Sequence, residues 1–237
     1  MTAKKAGVLN FSREHLQEVG EGRYSSGEGR RVIWNVAGEE ICVAFDRNLL
    51  VFGMDGVPRC KVLTSNTRKV HEVCYVATGV EDESLLAVST EDGMILFFST
   101  KEDDLATPEA DEAEATNGKT KAAGSKLPVA KLVAQIGGKE ADIQGRIKDF
   151  AVLRHAGEKG EDLYFACGGS DGKVRLLRVA LAELVNAASS KKAAKQLGKL
   201  LGTYETQNRI TCLEGFVMIP RPEGVEDSED EDRKSVV

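Results

Sequence analysis

Leu85-Leu86-Ala87-Val88-Ser89-Thr90-Glu91-Asp92-Gly93-Met94-Ile95-Leu96-Phe97-Phe98 returns later in the chain as Tyr164-Phe165-Ala166-Cys167-Gly168-Gly169-Ser170-Asp171-Gly172-Lys173-Val174-Arg175-Leu176-Leu177. Both stretches read as strand, Asp-Gly turn, strand. Asp-Gly between two apolar runs is a strong hairpin signal, because the turn needs a positive φ and glycine supplies it without a Cβ clash. A hairpin copied within one chain points to a repeat architecture. Asp92, Gly93, Asp171 and Gly172 are therefore read as structural turn residues.

Asp92 and Asp171 lie 79 residues apart, and between them 101–126 is rich in Asp, Glu, Ala, Thr and Gly. Such a stretch buries too little apolar surface to offset its ordering entropy, and it reads as a disordered acidic insertion. Without those 26 residues the period is 53, somewhat above the roughly 40–45 of a WD-type β-propeller blade. A second mark supports the period. A basic residue opens an alternating apolar strand at Arg31, at Arg68-Lys69, at Arg146 and at Arg209.

The expected fold is thus all-β, a WD-repeat β-propeller with about three complete four-stranded blades and an orphan strand at each end. The blades are expected at 31–67, 68–138 (with the insertion 101–126) and 145–206 (with a helical insertion at 180–199). Residues 6–11 read as an orphan fourth strand, 209–219 as the first strand of a closing blade, and 220–237 as a disordered acidic tail. Three blades do not close a ring, which takes 4–8, so the pattern reads as the C-terminal part of a larger propeller.

Net charge is −6, but 101–126 and 221–237 each hold seven acidic residues against four and three basic ones. Setting both aside takes the 38 acidic and 32 basic residues to 24 and 25. The folded part is near neutral, and an anionic partner such as RNA is compatible with it. No run of 18 apolar residues marks a transmembrane helix, and the opening Met1-Thr2-Ala3-Lys4-Lys5 lacks the apolar core of a secretory signal. The five cysteines form no CxxC pair and fall mostly in expected strands, as free thiols of a reducing compartment do.

No catalytic constellation emerges, and no cofactor or metal is expected. Gly168–Lys173 is one residue short of GxxxxGK, has Val174 where Ser or Thr would hold a metal, and joins strand to strand. His15, His71 and His155 have no partner at metal-ligand spacing. The repeated cations are the candidate partner or rRNA contacts: Arg31, Arg68, Lys69, Arg146, Lys148 and Arg209. The alternative is structural, each pairing with a turn aspartate. Ser228, among the acids of the tail, is a candidate phosphorylation site.

Arg146-Ile147-Lys148-Asp149-Phe150, Gly169-Ser170-Asp171-Gly172 and Asn208-Arg209-Ile210-Thr211-Cys212-Leu213 resemble the WD-repeat family of the p21-activated-kinase-interacting protein, whose fungal members are large-subunit ribosome biogenesis factors. The resemblance implies a non-catalytic scaffold in nucleolar assembly of the 60S subunit. Its partners would be pre-ribosomal proteins, assembly factors and rRNA within a pre-60S particle, with no membrane and no small-molecule substrate. The implied location is nucleus and nucleolus. The alternative it implies is a signalling adaptor that binds and negatively regulates a p21-activated kinase. One departure is plain: the Trp-Asp dipeptide is absent from every blade, and Trp34 is the sole tryptophan.

Overall fold

The computed structural model describes residues 29–218, apart from 65–67, 81–82, 107–126, 144, 158–159 and 191. Within them the chain is all-β: antiparallel sheets and one α-helix. Sheet 1 holds β1 (Arg31–Trp34), β2 (Glu40–Ala44), β3 (Asn48–Gly53) and β4 (Pro58–Leu63), paired in chain order. Sheet 2 holds β5 (Val70–Ala77), β6 (Ser84–Thr90), β7 (Met94–Ser99) and β8 (Lys131–Gly137). Sheet 3 holds β9 (Ile147–Gly157), β10 (Gly160–Gly169), β11 (Lys173–Ala180) and β13 (Lys199–Glu205).

The expected units at 31–67, 68–138 and 145–206 each contain one of these meanders. The first strands are neighbours, β1 against β5 and β5 against β9. Alternation along the strands explains the packing, since period-two apolar residues line one face. Cys42, Leu49, Val51, Val62 and Val73, Val88, Leu96, Phe98 fill the layer between sheets 1 and 2. Leu85, Ala87, Ile95, Phe97 meet Phe150, Leu163, Phe165, Leu177 between sheets 2 and 3. Phe165 is fully buried, edge-on to Phe97 at 5.6 Å and tilted against Phe150 at 6.3 Å.

The two copied hairpins adopt the same turn. Gly93 N–H donates to Thr90 O and Gly172 N–H to Gly169 O, both at 3.2 Å. Gly93 has φ +81° and Gly172 φ +77°. Neither aspartate has positive φ, so each is a four-residue turn closed by a left-handed glycine rather than a two-residue type I′ turn.

Three expectations need correction. The insertion 180–199 is not simply helical. Helix α1 (Leu181–Ser189) buries Leu181, Leu184 and Ala187, and is followed by the two-residue strand β12 (Lys195–Gln196). β12 pairs in parallel with β8, so a segment leaving sheet 3 adds a fifth strand to sheet 2 before β13 returns. The insertion 101–126 is ordered at its start. A 3₁₀ turn at Glu102–Asp104 is held by Ser99 Oγ donating to Asp104 Oδ2 at 2.6 Å and by Lys131 Nζ at 3.1 Å from Oδ1. Ala106 bridges Val129. Charge pairing there adds to the packing of Leu105 against the core between sheets 1 and 2. The described part of 209–219 is not a strand, and among the described residues it pairs with no neighbour in a ladder. The expected strand 6–11, residues 107–126, His15, the tail 220–237 and Ser228 lie outside the described residues.

Candidate functional site

The six candidate cations are not equivalent. Arg31, at the start of β1, forms an ion pair with Glu72 of β5, and Arg68, just before β5, forms one with the turn carboxylate of Asp92. Both ties are structural, one between sheets and one within a sheet. Among the described residues no carboxylate is ion-paired with Lys69, Arg146, Lys148 or Arg209. Lys69, Arg146 and Arg209 are exposed and Lys148 is half-buried.

Three of these four hold the same place in the repeat. Lys69 O accepts from Glu91 N and Arg146 O from Ser170 N, so each precedes its sheet's first strand beside the turn between the second and third. Gly145 O, just before Arg146, lies over Gly93, and Asn208 O, just before Arg209, lies over Gly172. Lys69, Arg146 and Arg209 therefore form a row on one rim. Residues 208–218 follow β9 much as β9 follows β5. Leu213 N–H donates to Asp149 Oδ2 at 2.8 Å, and Gly215 packs against Ala151 and Leu153.

Behind the rim, Ser89 Oγ accepts from Glu72 N at 2.9 Å and donates to Ile147 O at 3.3 Å. One hydroxyl thus links β5, β6 and β9 and brings 71–72 against 147–149. Of the two groups here, His71 was set aside from the sequence as a histidine without a ligand partner, and Glu72 was not singled out. His71 is half-buried, with Nε2 enclosed and without a hydrogen-bond partner. Burial, then the charges of Lys148, Arg146 and Lys69, hold its imidazole below the usual histidine pKa, against the opposing pull of Glu91. Glu72 is buried beside Asp149. Its Oε1 accepts from Val73 N at 3.1 Å. Asp149 Oδ1 accepts from Phe150 N at 2.8 Å. The signal for both acids was available: aligning Lys69-Val70-His71-Glu72 with Arg146-Ile147-Lys148-Asp149 superposes them.

Glu72 gives the molecule a pH dependence. Burial pushes its carboxyl up to about 7, helped by Asp149 and opposed by the Val73 N–H and Arg31. The folded pKa exceeds the unfolded one, so the native state holds the proton more tightly. This stabilisation is complete below about pH 4.5 and is lost as pH rises through about 7. Asp171 runs the other way, since its hydrogen bond from Arg175 lowers its pKa and its contribution disappears in acid. Glu72→Gln is expected to flatten the fall between pH 5 and pH 8, gaining on the order of 1–2 kcal/mol at pH 8. Urea midpoints at the two pH values check this.

At another edge, a cleft of about 650 Å³ includes Asn35, Glu40, Arg59, Glu83, Thr100 and Lys101 in its lining. Glu40 is buried there and accepts from Tyr75 Oη at 2.9 Å and Thr100 Oγ1 at 2.8 Å. Lys101 is ion-paired with Glu83. The two bonds to Glu40 tie sheet 1 to sheet 2. Among the described residues no cluster of His, Cys, Asp and Glu could hold a metal ion, and no helix is long and apolar enough to cross a membrane.

No family model matches the chain, and no curated protein matches it. Solved structures similar to it include BBS1N in complex with ARL6DN, at 18% identity and a TM-score of 0.38, covering 65% of this chain and 36% of that one. Another is a protein of unknown function from Bacteroides caccae, at 11% identity and a TM-score of 0.37, covering 75% of this chain and 46% of that one. The chain spans less than half the length of either.

Proposed function

We propose that this chain is a non-catalytic WD-repeat β-propeller scaffold that acts in nucleolar assembly of the large ribosomal subunit, through contacts with pre-ribosomal proteins and rRNA. The observation that carries the reading is the row of Lys69, Arg146 and Arg209 at one repeated position, exposed and without ion-paired carboxylates among the described residues. Cations neutralised by their own fold, such as Arg31 and Arg68, have little left for a partner. Unpaired cations suit phosphate contacts that position RNA without reading its sequence. Successive meanders with adjacent first strands support the propeller reading, and the segments of 146–150, 169–172 and 208–213 support the family. Glu72 and Asp149, beside this row, are engaged by Arg31 and by backbone N–H groups.

Affinity purification of the tagged chain from nuclear extract tests this. Large-subunit precursor particles with their rRNA are the expected prey, and the combined charge reversal of Lys69, Arg146 and Arg209 is expected to reduce rRNA recovery at least tenfold. Recovery of neither particle nor rRNA at low salt would sink the reading.

A further inference from the structure

Lys69, Arg146 and Lys148 come from two sheets and act together on one half-buried side chain, His71. The link is covalently short on both sides: Lys69 and His71 flank Val70, while Arg146 and Lys148 flank Ile147, whose carbonyl accepts the Ser89 hydroxyl that also receives Glu72 N–H. Three like charges drawn together around an imidazole raise one another's free energy. The carboxylate of Glu91, which pulls the other way on His71, is outweighed by them. Nearby acids are committed elsewhere: Asp92 to Arg68, Glu72 to Arg31, Asp149 to the N–H groups of Phe150 and Leu213.

We propose that Lys69, Arg146 and Lys148 hold one phosphodiester segment of single-stranded RNA across the junction of sheets 2 and 3. The proposal rests on the rRNA-contacting function above and names its site. An anion here relieves the mutual repulsion of the three cations and turns the field at His71 from unfavourable to favourable for the imidazolium. RNA binding and protonation of His71 therefore promote each other. The charged groups that face the imidazole are Lys69 and Glu91 from sheet 2 and Arg146 and Lys148 from sheet 3. Arg209 lies one repeat further along the rim and continues the track, so the phosphates follow the row rather than enter a closed pocket.

The experiment uses the full chain and an eight-residue oligouridylate, with inorganic phosphate as a separate arm. Affinity is measured against salt concentration, and the His71 ring proton is followed by NMR. The expected result is a His71 pKa that rises on RNA addition. The triple variant K69Q/R146Q/K148Q should lose at least tenfold in affinity at low salt, and its log–log salt slope should fall by about 2, as expected for three lost single-strand contacts. K192Q/K195Q/K199Q removes the same charge from the outer edge and should keep the wild-type slope. Equal losses in both triples, or a His71 pKa indifferent to RNA, would overturn the site. A shift with inorganic phosphate equal to that with RNA at matched phosphate would show a simple anion site and overturn the RNA assignment. Purification of precursor particles is read separately. Particles recovered with an unresponsive His71 would refute this site alone, and a responsive His71 without particles would refute the assembly function alone.

Discussion

Gly93→Ala is expected to be among the most damaging single substitutions in the described chain, costing about 3 kcal/mol or more and lowering Tm by about 10 °C. Two terms add. At φ +81° an L side chain costs roughly 1–2 kcal/mol. The new Cβ would also lie 2.6 Å from Ile143 Cγ2, 2.7 Å from Gly145 O and 3.1 Å from Ile143 O. Two of the three are backbone atoms, and Gly138 N–H is bonded to Gly93 O at 2.8 Å, so the turn cannot retreat without breaking that bond. Gly172→Ala is the control from the second copy. Its φ is +77° and its Cβ would meet Asn208 O at 2.7 Å. That carbonyl is held by Thr206 Oγ1 at 3.0 Å, but it is the single atom within 3.5 Å of the new Cβ, against three at Gly93. The cost there should be nearer the bare conformational term, about 1–2 kcal/mol. Equal urea midpoints for the two variants would show that the packing over Gly93 contributes nothing.

The second large effect is expected at the aspartate of the other turn. Asp171→Ala should cost about 3–5 kcal/mol, because it strands the Arg175 guanidinium without a counter-charge. The Arg175 side chain is 4% exposed and reaches Asp171 with Nη2 to Oδ2 at 2.7 Å and Nη1 to Oδ1 at 3.3 Å. Its Nε has no partner, so the fork is already incompletely satisfied. Replacing the pair together, D171A/R175M, should recover most of the loss, since the penalty lies in the unpaired charge. Asp92→Ala, at the matching position of the first copy, should cost only about 1 kcal/mol. Arg68 and Asp92 are 29% and 33% exposed, and water takes over much of their interaction. Denaturant titrations of the three variants check the order, and a double variant no better than D171A would refute the account.

These comparisons show what the sequence could and could not convey. The hairpins were legible because Asp-Gly between apolar runs encodes a local event, and the three meanders followed from those two turns together with the basic residue that opens each apolar strand. The alternation from Leu85 to Phe98 also located much of the layer packed between sheets. The strap of α1 and β12 was hidden. The helical spacing of Leu181, Leu184 and Val185 was readable, but a two-residue strand carries no periodicity, and its pairing with β8 is decided by tertiary contact alone. The sorting of the cations was hidden for a related reason. Arg31 and Lys69 look alike in sequence, and only the position of Glu72 across the sheet junction neutralises one and leaves the other unpaired. Conversely, His71 and Glu72 read as ordinary polar positions of an alternating strand until β9 is placed beside them.

The path of the chain through α1 and β12 has a consequence for how the molecule comes apart. Sheet 3 is interrupted after β11, lends two residues to the outer edge of sheet 2, and is completed by β13 only afterwards. Withdrawing β13 tugs on β12, and detaching β12 from β8 loosens the last strand of sheet 3. The two sheets are thereby made to unfold as one cooperative block. Sheet 1 is joined to sheet 2 in a like manner: Val129, just before β8, bridges Lys61 of β4 in parallel, with Lys61 N–H on Pro128 O and Ala130 N–H on Lys61 O, both at 2.9 Å, so an opening that begins at sheet 1 pulls on β8 as well.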